Sequence, residues 1–286
     1  MTDREKRMKQ YKVLVTGACG YIGRHVVAEL LRQGHRVIAS DFSNLGLPEG
    51  VEFTDYPIFD GSPDIYDKLG RPDALIHLAW KHGFIHNSSA HMEELSKHII
   101  FLNHMADAEI WSISVMGSMH EVGYWEGAIS ADTPCNPLSQ YGIAKNALRQ
   151  SMMRYTEGKN VNFHWLRAFY IFGDDENGSS IFAKLQQAVK DGKTTFPFTS
   201  GKNCYDFIHI DELAKQIVAA SLQEQVNGII NVCSGKPRML AEQVEGYIKD
   251  NRLPITLEYG KFPDRPYDSP AIWGDNTNIT QILSAQ

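Results

Sequence analysis

The stretch KVLVTGACGYIGR, residues 12–24, decides the fold of this chain. Its aliphatic run predicts a strand buried on both faces, and the residues after it place valines and leucines on one face of a helix. Between strand and helix, Gly17, Gly20 and Gly23 have the spacing G-x-x-G-x-x-G. The first glycine allows a tight turn, the second lets the backbone approach a pyrophosphate, and the third lets helix and strand pack closely. The stretch therefore predicts an anion-binding corner at a helix N-terminus.

A second predicted strand, Arg36–Ser40, leads directly into Asp41. An acidic side chain about 20 residues beyond the glycines is placed to hydrogen-bond a ribose 2′-hydroxyl, so the corner and Asp41 together predict a bound dinucleotide. Because a carboxylate repels a 2′-phosphate, we expect NAD rather than NADP. Ser40, Ser43 and Arg24 lie close enough in the sequence to soften that preference.

The composition is that of an ordinary globular enzyme, with 43% hydrophobic and 22% charged residues among 286. The net charge of −6 argues against nucleic acid or an anionic membrane as the main partner. The first ten residues are charged, and no apolar run approaches the roughly 18 residues of a membrane span, so neither a signal peptide nor a transmembrane helix is expected. Four widely spaced cysteines predict free thiols and a cytoplasmic location.

The 11 histidines raise the question of a metal site. His82 and His86 stand four apart, but Gly83 between them weakens a helix and no carboxylate joins them. We interpret His91, His98 and a third histidine, His104, as surface or interface residues of one helix. No metal is therefore expected.

Predicted strands and helices alternate through the first half of the chain, which is typical of a parallel sheet covered on both faces. We predict an α/β fold, a Rossmann-type doubly wound parallel sheet with a small, interleaved C-terminal α/β substrate domain. The predicted NAD-binding domain comprises residues 1–172, with 206–235 returning to it, and the substrate domain comprises 173–205 and 236–286. In the returning segment Asp211 is expected to cap a helix.

Tyr141 and Lys145 lie four apart in a predicted helix and therefore project from one face. A nearby ammonium group favours the phenolate and is expected to lower the pKa of the tyrosine, making it an acid or base near neutral pH. Tyr-x-x-x-Lys alone is common on surface helices. Here Ser118 ends a predicted strand at the sheet edge where doubly wound folds bind ligands, and its hydroxyl can bond the same substrate oxygen. We expect these three residues to be catalytic.

Short motifs occur in a fixed order along nearly the whole chain. They are Thr16-Gly17-x-x-Gly20-x-x-Gly23, Asp41, Asp60, Pro72-Asp73-x-x-x-His77-Leu78-Ala79, Gly117-Ser118, Pro137-x-x-x-Tyr141-x-x-x-Lys145, Leu166-Arg167 and Asp206-Phe207-Ile208-His209-Ile210-Asp211. In this order they resemble the extended short-chain dehydrogenase/reductases, the NAD-dependent epimerase/dehydratase family that acts on nucleotide sugars.

The resemblance implies a role for each matching residue. Asp60 bonds the adenine, Lys145 holds the nicotinamide ribose, and Ser118 steadies the sugar oxygen. Tyr141 transfers the proton of that oxygen while hydride moves between the sugar carbon and the nicotinamide. The implied cofactor-binding residues are Gly17, Gly20, Tyr21, Ile22, Gly23, Asp41, Asp60, Leu78, Ala79, Tyr141 and Lys145.

Departures from the family pattern narrow the predicted activity. Met119 and His120 stand where the sugar dehydratases carry an Asp-Glu pair, so 4,6-dehydration is not expected. Tyr170 and Tyr205 replace an Asn and an Arg that often hold the diphosphate. A late arginine matches a phosphate-contacting residue of the family. The candidate substrate-binding residues are Lys81, His120, Tyr170 and that arginine, Arg265.

The prediction is therefore reversible hydride transfer at a carbinol of a nucleotide sugar, at C4, by a 4-ketoreductase or a 4-epimerase. The short second domain favours the reductase, while a tight NAD preference favours the epimerase, so both stay open. The resemblance implies a homodimer through helices at about 91–107 and 139–156. One alternative is an NAD(P)-dependent reductase of a small non-nucleotide carbonyl, which the missing diphosphate contacts favour. Another is a non-catalytic NAD-binding scaffold or sensor, which the intact catalytic trio disfavours.

Overall fold

A computed structural model describes residues 9–173, 180–264 and 268–285 of the chain. The strands are β1 (Lys12–Thr16), β2 (Arg36–Ser40), β3 (Glu52–Thr54), β4 (Ala74–His77), β5 (Ser112–Ser118), β6 (Gly127–Ile129), β7 (Asn162–Ala168), β8 (Tyr170–Phe172), β9 (Thr195–Pro197), β10 (Cys204–His209), β11 (Gly228–Val232), β12 (Pro237–Met239), β13 (Thr256–Glu258) and β14 (Ala271–Gly274). The helices are α1 (Gly23–Arg32), α2 (Ile65–Lys68), α3 (Ala90–Glu93), α4 (Leu95–Asp107), α5 (Gln140–Thr156), α6 (Ile181–Lys190), α7 (Ile210–Ser221), α8 (Leu240–Asp250) and α9 (Thr277–Ser284), with a short 3₁₀ helix at Met119–Glu121.

Seven parallel strands form the main sheet in the order β3-β2-β1-β4-β5-β7-β11. The chain first adds strands outward from β1 on one side and then crosses back to β4 on the other. Ligands bind doubly wound sheets at such a reversal, outside the carboxyl ends of the strands. The predicted fold class is confirmed.

Both faces of the main sheet are covered by helices. On one face α1, α7 and α9 enclose a core rich in valine and alanine, and on the other α2, α4 and α5 enclose a second core that includes Phe101 and Trp165. Burial on both faces explains why the central strands are almost purely aliphatic.

The second part of the molecule is built on a smaller sheet in the order β12-β10-β14-β6, with β8 also pairing with β10. Its core is aromatic and includes Phe182, Phe198 and Phe207. The segment 206–235 contributes to both parts, because β10 lies in the smaller sheet while β11 is an edge strand of the main one. The domain boundaries themselves stay a prediction.

Two local expectations are wrong. The helix expected over residues 91–107 is two helices, α3 and α4, interrupted at Glu94. The cap of α7 is His209, whose ring nitrogen accepts a hydrogen bond from the backbone N–H of Asp211 at 3.3 Å. A side chain just before the helix therefore performs the capping expected of the residue just inside it.

The interpretation of His91 and His98 as surface or interface residues is also wrong, since within the single chain they are 1% and 2% exposed. His98 Nδ1 lies 2.8 Å from Nε2 of His77, which is itself hydrogen-bonded to Thr16. His91 Nδ1 accepts a hydrogen bond from the Trp80 indole at 3.1 Å. Partners at the end of β4 thus hold both rings inside the protein. Over the described ranges, the helices lack the combination of length and apolar character needed to cross a membrane.

Candidate active site

The glycine corner joins β1 to α1 as the sequence predicts. Gly17 has φ +68°, and a Cβ there would lie 2.8 Å from the backbone nitrogen of Ala79. A Cβ on Gly23 would lie 2.1 Å from the carbonyl oxygen of Gly17. Any side chain at either position would push the corner apart, so both glycines are required by close backbone packing.

Asp41 follows β2 and faces the same corner. Its carboxylate accepts hydrogen bonds from the backbone N–H groups of Cys19 at 2.9 Å and Phe42 at 2.8 Å. The acidic side chain is thereby fixed beside the glycine loop, where a dinucleotide of this fold class places its ribose. The glycine corner and this carboxylate fit NAD.

A cleft of about 730 Å³ runs from the glycine corner to the end of β5. It brings together most of the predicted site residues, from elements far apart in the sequence. The predicted residues that line it are Gly17, Gly20, Tyr21, Ile22, Gly23, Leu78, Ser118, His120, Tyr141, Lys145 and Tyr170. The cleft therefore joins the predicted cofactor loop to the predicted catalytic residues.

Of four other predicted residues, three lie elsewhere in the structure and one lies outside the described residues. Ala79 packs its backbone against Gly17. Asp60 accepts hydrogen bonds from the Tyr56 hydroxyl and the Ser62 N–H rather than lining the cleft. Lys81 is exposed and is not among the lining residues, and Arg265 lies outside the described residues.

Ser118, Tyr141 and Lys145 meet at the end of β5. Ser118 and Tyr141 both line this part of the cleft. Lys145 donates from Nζ to the carbonyl oxygen of Met116 at 2.8 Å, and its Nζ lies 3.7 Å from the centroid of the Trp80 ring. Strand β5 and helix α5 thus hold the three side chains around one point of the cleft.

The expected lowering of the tyrosine pKa is not found in the free protein. Burial raises the pKa of Tyr141 to about 12, opposed in part by the nearby Ser118 hydroxyl. Burial also lowers the pKa of Lys145 to about 7, opposed by the negative charge of Glu121. Desolvation wins because both side chains are enclosed, which the residue spacing did not reveal.

Aromatic and imidazole rings surround Tyr141, and sequence reasoning missed this arrangement. The rings of His86 and Tyr141 stack with centroids 5.5 Å apart, and the His91 and Trp80 rings meet the tyrosine edge-on at 5.3 and 6.1 Å. The His120 ring lies 6.1 Å away. Trp80 directly follows the Leu78-Ala79 motif, and this position is the sequence signal from which it could have been found.

A second cavity, of about 920 Å³, adjoins the cleft. His86, His120 and Tyr170 line both spaces, so the two are neighbours across these side chains. The far wall comes from the smaller sheet and its helices, and the Tyr170 and Tyr205 rings stack there with centroids 4.2 Å apart. The other aromatic and aliphatic residues of this wall include Phe182, Phe207, Leu240 and Ile272.

Comparison with known proteins gives a consistent result. The sequence model of the family described as "NAD dependent epimerase/dehydratase family" matches residues 13–233. A curated relative from Aggregatibacter actinomycetemcomitans, named dTDP-6-deoxy-L-talose 4-dehydrogenase (NAD(+)), is 45% identical over 267 residues, which cover 92% of this chain and 98% of the relative.

Solved structures share the fold at low sequence identity. UDP-N-acetylglucosamine 4-epimerase from Methanobrevibacter ruminantium M1, in complex with UDP-N-acetylmuramic acid, has a TM-score of 0.82 at 22% identity and covers 96% of this chain and 92% of its own. MoeE5 in complex with UDP-glucose and NAD has a TM-score of 0.80 at 23% identity, with the same coverage. The family resemblance drawn from the motifs is confirmed, and with it the expectation of an NAD-dependent enzyme.

Proposed function

The chain belongs to the NAD-dependent epimerase/dehydratase family, and from that premise we propose that it is an NAD-dependent 4-dehydrogenase, or 4-ketoreductase, of a dTDP-activated 6-deoxyhexose. The observation that carries this proposal is the meeting of Ser118, Tyr141 and Lys145 in the cleft that begins at the glycine corner. The name of the 45% identical relative, which the match covers almost end to end, supports the dTDP nucleotide, the 6-deoxyhexose and C4 as the carbon that is oxidised or reduced.

In this proposal the chain's own residues bind the cofactor and move one proton. The N-terminus of α1 and its glycines hold the pyrophosphate, Asp41 holds the adenosine ribose, and Lys145 holds the nicotinamide ribose. NAD, when bound, supplies the hydride acceptor or donor. Tyr141 takes the proton from the C4 hydroxyl on oxidation and returns it on reduction, while Ser118 hydrogen-bonds the same oxygen.

The second cavity is the proposed site of the nucleotide part of the substrate. Its aromatic wall suits a planar base, and it opens beside Tyr170 and His120 next to the catalytic tyrosine. Met119 and His120 carry no carboxylate, so the Asp-Glu pair of the sugar dehydratases is missing and 4,6-dehydration is excluded from the proposal. Of the predicted substrate-binding residues, His120 and Tyr170 line this cavity.

A panel of activated sugars tests the proposal. Purified protein with NAD is mixed with dTDP-, UDP-, GDP- and CDP-hexoses, and NADH formation is followed by its absorbance. We expect net NADH formation with a dTDP-6-deoxyhexose and a higher melting temperature with dTDP than with the other nucleotides. Interconversion of two C4 epimers without net NADH would instead identify the epimerase. Turnover of a small carbonyl with no response to any nucleotide would contradict the proposal.

We also propose a homodimer through α4 and α5. These helices pack together, and each leaves apolar side chains exposed, among them Ile100 on α4 and Ile143 and Met153 on α5. Ile100→Glu is expected to give monomers by light scattering, whereas Leu45→Glu, in an exposed loop after β2, is expected to leave the mass unchanged.

The four free cysteines support a reducing, cytoplasmic location.

A further inference from the structure

Glu121 is a fully buried carboxylate directly beneath the catalytic serine. Its Oε1 accepts a hydrogen bond from the backbone N–H of Ser118 at 2.7 Å, and a second from the indole N–H of Trp165, also at 2.7 Å. The Ser118 hydroxyl in turn accepts from the N–H of His120 at 3.3 Å. Glu121 thus fixes the turn that follows β5, at the residue that touches the reacting oxygen in the proposed mechanism.

Two guanidinium groups face the other oxygen of this carboxylate. Arg149 Nε and Arg167 Nη2 each lie 3.5 Å from Oε2, and the Arg167 side chain is fully buried. Removal of one partner from such a buried group leaves an uncompensated charge, so each member depends on the others.

Gly117 shows that β5 is shaped around this carboxylate. A Cβ on Gly117 would lie 2.6 Å from Oε1 of Glu121 and 2.2 Å from Nε1 of Trp165. The glycine before the catalytic serine is therefore required by the approach of these two side chains to the strand.

We propose that Glu121 is a positioning residue, which holds Ser118 in place and sets one negative charge beneath Tyr141 and Lys145. This assignment rests on the proposed function of those three residues. The charge acts in a definite direction, because the carboxylate raises the pKa of both Tyr141 and Lys145. Glu121 thereby helps to keep the lysine protonated at neutral pH against the desolvation that favours its neutral form.

The other titratable groups around the site do not supply this charge. Burial lowers the pKa of His77, His98 and His120, so these rings are neutral near pH 7. Among the residues that the structure describes, the other ionisable or cationic side chains that face Glu121 or Tyr141 are Arg149 on α5, Arg167 on β7, His86 and His91 in the segment after β4, and Cys135, whose sulfur accepts from both arginines.

Glu121→Gln removes the charge and keeps the two hydrogen bonds at Oε1, because the amide oxygen still accepts from Ser118 and Trp165. The hydrogen bond from Arg167 Nη2 to Oε2 is lost with the charge. We expect both limbs of the pH profile of kcat for the dTDP-sugar reaction to move to lower pH by about one unit, since loss of the carboxylate lowers both pKa values. Glu121→Asp keeps the charge but shortens the reach to Ser118. It is expected to reduce kcat without moving the profile.

Arg149→Met provides a control of opposite sign, and it also serves if the glutamine variant does not fold. Loss of one cation facing Oε2 is expected to move the profile to higher pH. Profiles that stay in place in both Glu121→Gln and Arg149→Met would overturn the role of the charge, and undiminished kcat in Glu121→Asp would overturn the positioning of Ser118.

A wild-type protein without turnover would contradict the proposed function rather than this inference. The pH dependence of unfolding then tests Glu121 without substrate, by comparing the wild type with Glu121→Gln. The free energy of unfolding rises with pH once the pH exceeds the pKa of Lys145 in the folded protein. If Glu121 raises that pKa, the rise begins at a lower pH in Glu121→Gln than in the wild type. A rise that begins at the same pH in both proteins would overturn the inference.

Discussion

The two ends of the active-site cleft are built in different ways. At the predicted cofactor end, Gly17 and Gly23 bring backbone atoms together and Asp41 hydrogen-bonds the backbone of the loop. The proposed substrate end is built from side chains of separate segments, with Tyr170 stacked on Tyr205 and both facing residues of α6 and α8. The shape of the first end is determined by the close approach of main-chain segments. The shape of the second end is determined by the aromatic side chains that separate segments of the chain contribute.

This difference separates cofactor binding, which is general to the fold, from substrate recognition, which is specific to the protein. A corner made of backbone N–H groups binds any pyrophosphate, so it identifies the cofactor class and leaves the reaction open. A wall made of side chains can discriminate between bases and sugars, because a changed ring alters shape and polarity directly. Four predictions test where one end stops and the other begins.

Tyr141→Phe is expected to have the largest effect, because Tyr141 lies between the two ends. Turnover should fall by about 10²–10⁴-fold on loss of the group that transfers the proton. Binding of NAD and of dTDP, measured by thermal shift, should persist because neither end of the cleft is altered. Near-normal turnover would remove the tyrosine from its assigned role.

Gly23→Ala is expected to damage the cofactor end alone. The added methyl group meets the Gly17 carbonyl oxygen at 2.1 Å, so the corner must open, at a cost of about 1–3 kcal/mol in the free energy of unfolding. The melting temperature should cease to respond to NAD while still responding to dTDP.

Gly246→Ala is the matched control for this substitution. Gly246 lies within α8, and a Cβ there has nothing within 4 Å. Alanine is therefore expected to stabilise the protein by about 0.5–1 kcal/mol and to leave the NAD response intact. Equal damage in the two variants would show that the corner is not specially packed.

The lysine between the two ends gives a pH-dependent prediction for the free protein. The pKa of Lys145 is about 7 in the fold against an ordinary 10.5, so between these values only the unfolded chain carries the extra proton. Stability contributed by this residue therefore rises with pH across that window and is constant below it.

Lys145→Met removes this dependence. Without NAD, the free energy of unfolding of the wild type relative to the variant should rise by about 2 kcal/mol from pH 7 to pH 9, as measured by denaturant unfolding at the two values. A difference that falls with pH would mean that the lysine is charged in the fold.

Asp41→Asn is expected to have the smallest effect of the four. It tests whether the carboxylate at the cofactor end selects NAD over NADP. The amide oxygen still accepts from the N–H of Cys19, while the hydrogen bond from the N–H of Phe42 is lost together with the charge. The ratio of kcat/KM for NAD over NADP should fall by about tenfold. An unchanged ratio would show that the carboxylate does not distinguish the two cofactors.

Most of the Rossmann half was predictable from local patterns. Strand β2 has the predicted bounds, Arg36–Ser40, because an aliphatic run that leads directly into an acidic residue is a clear local pattern. Ser118, Tyr141 and Lys145 could be proposed as site residues because each lies in a short motif at a strand end or on one helix face. Their meeting in one cleft follows from the parallel sheet.

The remaining features depend on contacts that local patterns do not contain. The burial of His98 requires a partner on β4, and the role of Glu121 requires indole and guanidinium groups from β7 and α5. The pKa of Tyr141 was predicted with the wrong sign because spacing places the lysine nearby but does not measure desolvation. Trp80, His86 and His91 surround the tyrosine only after the segment beyond β4 folds against α5.

The buried imidazoles make unfolding a multi-proton reaction. Burial lowers the pKa of His98 to about 3 and those of His120 and His164 to about 4, and it holds that of His77 well below 6.5. In the unfolded chain each of these four rings takes up a proton below about pH 6.5. Their stabilisation is therefore complete above that pH and is lost as the pH falls toward 4. In that interval the unfolding equilibrium constant depends on proton concentration raised to a power that approaches four, one for each ring, so modest acidification is amplified into a steep loss of native protein.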